Sequence, residues 1–116
     1  MANTFKVCTR ASVNHSAADI IYTVPGSTTT ILVGMTICNR HSAATDIDVI
    51  LVSDTAGSNP NTNADVYLLK DTEIPAGSTL EVFGGNKIVL QTTDQIKAQA
   101  AANDYIDISL SFMEIT

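Results

Sequence analysis

Tryptophan is missing from the 116-residue chain, Lys and Arg together number only six, and cysteine and histidine occur twice each. Each shortage excludes something. With a net charge of −6 and the basic residues Lys6, Arg10, Arg40, Lys70, Lys87 and Lys97 spread singly, there is no cationic patch to neutralise phosphates, so nucleic acid is not an expected partner. No apolar run approaches the ~18 residues that span a bilayer as a helix, so no membrane partner is expected either. The start, Met1-Ala2-Asn3-Thr4-Phe5-Lys6, resembles neither a signal peptide nor a lipidation site, so synthesis and folding in a cytoplasm are the expectation.

What is present is β-forming. Apolar residues make up 45% and charged residues 16%, a globular composition, and 116 residues suffice for one domain covering 1–116 without metal or disulfide support. Thr, Ile, Val, Ser and Ala dominate, residues that suit a pleated, half-buried surface. The clearest strand closes the chain: Ile106, Ile108, Leu110 and Phe112 alternate with Asp107, Ser109 and Ser111. Ahead of it, Ile74-Pro75-Ala76-Gly77-Ser78 and Gly84-Gly85-Asn86 read as tight reversals, Pro75 at the first central position and Gly77 supplying positive φ. The second half therefore reads as a meander through Leu80 and Val82, Ile88 and Leu90, and Ile96 and Ala98, with Gln99 to Asn103 as a turn.

In the first half, Thr4 to Arg10 is a strand with Phe5, Val7 and Thr9 on one face. Ser12 to Ala18 is a polar loop, and Ile20 to Val24 a short strand stopped by Pro25-Gly26. Thr28 to Cys38 is nearly continuously apolar apart from threonine. That is the mark of a strand covered on both sides or lying in a subunit contact, and Gly34 within it suggests a bulge. Asn39 to Ser42 turns the chain into a strand with Ile47, Val49 and Leu51 on its inner face and apolar Ile50 and Val52 on its outer one. Asp54 to Ala64 is the longest polar loop. Eight or nine short antiparallel strands and no helix of normal length define an all-β sandwich of jelly-roll type.

Chemistry is sparse. Cys8 and Cys38 with His15 and His41 contain the ligand types of a tetrahedral zinc site, but two buried thiols and two loop histidines explain them more simply. A Cys8–Cys38 disulfide is not expected in a cytoplasmic product. Asp46, Asp48, Asp54 and Asp65 are oxygen donors of the kind calcium takes, yet they lack EF-hand spacing. No nucleophile elbow, partnered Ser or Cys, or phosphate-cradling loop occurs. The expectation is a protein without cofactor or metal that is not an enzyme. The two-sided apolar strands single out Ile31, Val33, Met35, Ile50 and Val52 as an interaction surface.

Several segments carry a resemblance. Ala2-Asn3-Thr4-Phe5-Lys6, Tyr22-Thr23-Val24-Pro25, Leu68-Leu69-Lys70-Asp71 with Ile74-Pro75-Ala76-Gly77-Ser78, Lys87-Ile88-Val89-Leu90, Thr93-Asp94-Gln95-Ile96 and Phe112-Met113-Glu114-Ile115-Thr116 resemble a family of small virion structural proteins of tailed bacteriophages, cyanophages among them. The resemblance implies a place in the virion and contacts with other virion proteins, either the major capsid protein or neck and tail proteins. It also implies no catalytic residue, while the apolar character of both strand faces over Thr28–Thr36 and Ile47–Val52 points to association between copies or docking there. A capsid cement or decoration subunit is the leading role. A neck, tail or baseplate component, or a receptor- or glycan-binding module of a fibre, is the alternative.

Overall fold

The computed structural model describes residues 2–53 and 62–116, so most of the expected Asp54–Ala64 loop lies outside the described residues. Among the described residues nine strands follow one another without a helix: β1 (Asn3–Arg10), β2 (Asp19–Thr23), β3 (Thr29–Asn39), β4 (Thr45–Val52), β5 (Val66–Ile74), β6 (Thr79–Glu81), β7 (Ile88–Leu90), β8 (Gln95–Ala100) and β9 (Ile106–Ile115). They form two antiparallel sheets. The first, sheet A, has the order β1-β9-β3-β6 with β7 also on β3; the second, sheet B, has the order β2-β8-β4-β5.

Successive strands change sheet at every connection except β4–β5 and β6–β7, which is the double Greek key of a jelly roll. The expected meander is therefore not formed. β6 pairs with Thr36–Cys38 and β7 with Thr30–Leu32, so the two are one interrupted strand running along β3. The Gly84-Gly85 turn, with φ of 57° and 89° and Asn86 N–H donating to Phe83 O, carries the chain past β3 instead of closing a hairpin. In the other reversal Ser78 N–H donates to Pro75 O, so Ala76 and Gly77 are the central residues, and Pro75 sits one position earlier than expected. The turn after β8 also begins later than expected, because Gln99 and Ala100 still belong to that strand.

Between the sheets lies an apolar core that includes Leu32, Met35, Ile37, Ile47, Val49, Ile96, Ile106 and Leu110, all fully buried. β3 and β9 supply it from one sheet, β4 and β8 from the other. The bulge expected near Gly34 is present: β3 pairs Leu32 with Phe112 and Gly34 with Ser111, leaving Val33 as the extra residue.

Candidate interaction surface

Register places apolar side chains of four strands side by side on the outer face of sheet A. Phe5 pairs with Met113, Met113 with Ile31, and Ile31 with Val89. At ~4.8 Å between strands this rung runs ~14 Å across the sheet. Its ends stand in solvent, Phe5 76% and Val89 60% exposed, and Val7 and Val33 (61% and 42%) continue the patch beside it. Phe5, Val7, Val33 and Ser111 line a shallow groove between them. Among the outward positions of the paired strands only Asp107 and Glu81 are charged, both towards the far end of the sheet, and Asp107 is held by Arg40 Nε at 3.0 Å. In a chain of net charge −6, this is an unusually neutral face.

The five residues singled out from the sequence do not form one surface. Ile31 and Val33 belong to the rung and its margin. Met35 does not: it is fully buried, because the bulge at Val33 inverts the alternation of β3 and turns Met35 inward together with Ile37. Ile50 and Val52 point outward, but from sheet B, on the opposite side of the sandwich. There Ile50 lies between Lys97 and Tyr67, with Ile20 beyond Lys97. Lys70 extends over the Tyr67 ring at 5.0 Å and pairs with Asp48 at 3.3 Å. That outer face is laced with charge, unlike the one on sheet A. Phe5, Val7, Val89 and Met113, the main members of the apolar rung, were not among the expected surface residues. Their strand patterns alternate cleanly, but alternation alone does not say which face meets the core.

For β1 the deciding feature is a buried carboxylate. Glu114 is 6% exposed, yet Lys6 Nζ reaches its Oε1 at 2.7 Å and Tyr22 Oη donates to its Oε2 at 2.6 Å. Tyr22 Oη also meets Thr30 Oγ1 at 2.8 Å, so one cluster ties β1, β9 and β3 of sheet A to β2 of sheet B. Lys6 and then Tyr22 hold the Glu114 carboxyl below the usual carboxylate range. Burial, and then the Glu114 contact, push the Tyr22 phenol up. Turning Lys6 inward to this carboxylate turns Phe5 and Val7 out.

The chemical sets read from the sequence are dispersed. Cys8 faces inward from β1, where its thiol donates to Ile21 O and is pushed up by burial, whereas Cys38 lies on the outer side of β3. β9 separates these strands, so two strand spacings, ~9.6 Å, exceed the ~7 Å limit for a disulfide, and both thiols are free. His41 stacks on Tyr105 at 3.7 Å between ring centroids, and His15 hydrogen-bonds to Asn103. Asp48 accepts from Lys70 and from the Asp71 N–H, and Asp65 accepts from the Ser53 N–H; Asp54 lies outside the described residues. Among the described residues, no three of His, Cys, Asp and Glu gather as a metal-holding group.

No protein-family model matches the chain, and no curated protein matches it. Among solved structures it is similar to a chain from the work on Bacillus endospore appendages, a family of disulfide-linked pili. The TM-score is 0.53 at 12% identity, over 99% of this chain and 87% of that one. At that identity the likeness is one of fold.

Proposed function

We propose that the protein is a non-enzymatic structural subunit that builds an assembly by protein–protein contact, with the outer face of sheet A as its docking surface. The observation that carries this reading is the exposed, nearly uncharged rung Phe5–Met113–Ile31–Val89. Large apolar side chains placed contiguously in water mark a surface meant to be covered. The core needs only one face of each sheet, so the rung is surplus to folding. The similar fold of a pilus protein, over 99% of this chain, supports a structural role. The sequence resemblance to small phage virion proteins supports the finer reading, a subunit that docks on the proteins of a virion and decorates its head.

Quantitative mass spectrometry of purified particles tests the finer reading. A copy number comparable with that of the shell protein is the expected result. A handful of copies per particle would move the protein to the neck or tail, and its absence from particles would remove the virion reading.

A further inference from the structure

We infer that two copies of this chain join edge to edge through β1, antiparallel about a twofold axis at Val7, so that their A sheets become one. The inference rests on the reading above that the protein builds an assembly by protein–protein contact, and adds how two copies meet.

Edges are where a sheet can be extended, and natural sheets blunt them with bulges and short strands. Three of the four edges here are blunted in that way. β2 is five residues long with a bulge at Ile21. β5 is interrupted twice, between its pairings with Ile47 and Val49 and again between those with Val49 and Ile50, and Asp71 has a φ of 48°. The edge beyond β3 consists of two three-residue pieces. Among the described residues β1 alone is a long, regular edge: eight residues in unbroken register with β9, exposed along its length except at Cys8.

The ladder fixes which groups are free. Ala2 and Thr116 exchange both backbone hydrogen bonds (3.1 and 3.0 Å), and the same register continues through β1. In an antiparallel ladder bonded pairs alternate with non-bonded ones. Even-numbered residues therefore bond to β9, while Asn3, Phe5, Val7 and Thr9 turn their N–H and C=O groups to the open edge. A second β1 satisfies them when odd residues stand opposite odd residues, and pairing Val7 with Val7, Phe5 with Thr9 and Thr9 with Phe5 does so with two bonds each.

Charge then selects among the registers. Moving the axis to Lys6 sets Lys6 opposite its own copy, and moving it to Cys8 sets Lys6 opposite Arg10; both are like-charge pairs. With the axis at Val7, Lys6 faces Cys8 and Arg10 faces Thr4. This is the longest overlap without opposed cations. It also places the two Phe5 rungs on one continuous outer face.

The test uses the full chain. Val7→Cys in a Cys8→Ser, Cys38→Ser background should form a disulfide-linked dimer under mild oxidation, since bonded pairs bring Cα atoms within disulfide reach. Phe5→Cys in the same background should not, because it faces Thr9. Val7→Pro removes an edge donor without touching the β9 ladder, so it should keep the circular dichroism of a folded sheet and halve the mass seen by light scattering. If Val7→Pro fails to fold, the crosslink decides alone. An assembled protein with no crosslink at Val7, or a folded Val7→Pro that assembles normally, overturns the β1 pairing but leaves the structural reading standing. A wild-type chain that stays monomeric at every concentration and in isolated particles overturns the β1 pairing alone, whereas a chain absent from every isolated assembly overturns the structural reading.

Discussion

Leu32 and Met35 lie three positions apart on one strand, and both are fully buried in the same core. A regular strand puts residues three apart on opposite faces. The single unpaired residue Val33 reconciles them, so Thr30 and Leu32 face inward before the bulge and Met35, Ile37 and Asn39 after it.

A Met35→Ala change should therefore behave as a core truncation, lowering stability by about 2–5 kcal/mol in urea unfolding. Gly34→Ala should stay within about 0.5 kcal/mol of the parent: Gly34 has ordinary φ, and an added Cβ would meet only Glu81 Oε1 at 3.6 Å. Equal effects from the two changes would contradict the bulge.

Much of this was legible in the sequence. β9 is announced by strict alternation from Ile106 to Phe112, and β3 by its length and threonines. The turn residues mark most strand ends, and the sandwich class follows from their spacing. The side-chain facing was legible only in part. Alternation fixes which residues share a face but not which face is buried. Two distant events settle that: Glu114, 108 residues after Lys6, draws β1's even residues inward, and one bulge inverts β3 at Met35. Nor does local pattern reveal that β6 and β7 both return to β3, because that pairing is set by the sheet switching of the whole chain.

Asn39 offers a sharper test of buried polarity. Read from the sequence as the start of a turn, it instead ends β3 fully buried. Its Nδ2 donates to Ala43 O (2.9 Å) and Ile74 O (3.0 Å), with Pro75 O at 3.3 Å, and its Oδ1 accepts from His41 N–H at 2.9 Å. Asn39→Asp keeps the shape but aims a carboxylate at carbonyl oxygens. The expected loss at neutral pH is about 3 kcal/mol or more, partly recovered in acid as the carboxyl is protonated and can donate. An unchanged urea midpoint at neutral pH would refute the assignment.

The Lys6–Glu114–Tyr22 cluster predicts the pH dependence. Folding lowers the Glu114 pKa, so the group's contribution is complete above its unfolded value of about 4.3 and is lost as pH falls through the folded value. Folding raises the Tyr22 pKa, so its contribution is present below about pH 10 and is lost as pH rises further. In Glu114→Gln both dependences should weaken. The free-energy difference from the parent should be largest near neutrality and shrink below about pH 4. A difference that grows in acid would reverse the sign and exclude the cluster as its source.

The last prediction separates the two outer faces. Phe5 on sheet A and Ile50 on sheet B are both apolar and outward-facing, but their surroundings differ. Phe5 lies in the uncharged rung with Met113, Ile31 and Val89, whereas Ile50 sits beside Lys97 on a face that also carries Asp48 and Lys70. Covering the first removes little charge from water; covering the second strips hydration from several ions, a penalty of several kcal/mol per ion unless each finds a partner. If the proposed docking through sheet A holds, Phe5→Glu should abolish co-sedimentation with purified particles while leaving the thermal transition nearly unchanged, because Phe5 is 76% exposed and contributes little to the core. Ile50→Asp should still co-sediment. If Ile50→Asp is lost from the particle and Phe5→Glu retained, sheet B is the docking face, and the charges around Ile50 are then the partner-specific contacts rather than a solvated surface.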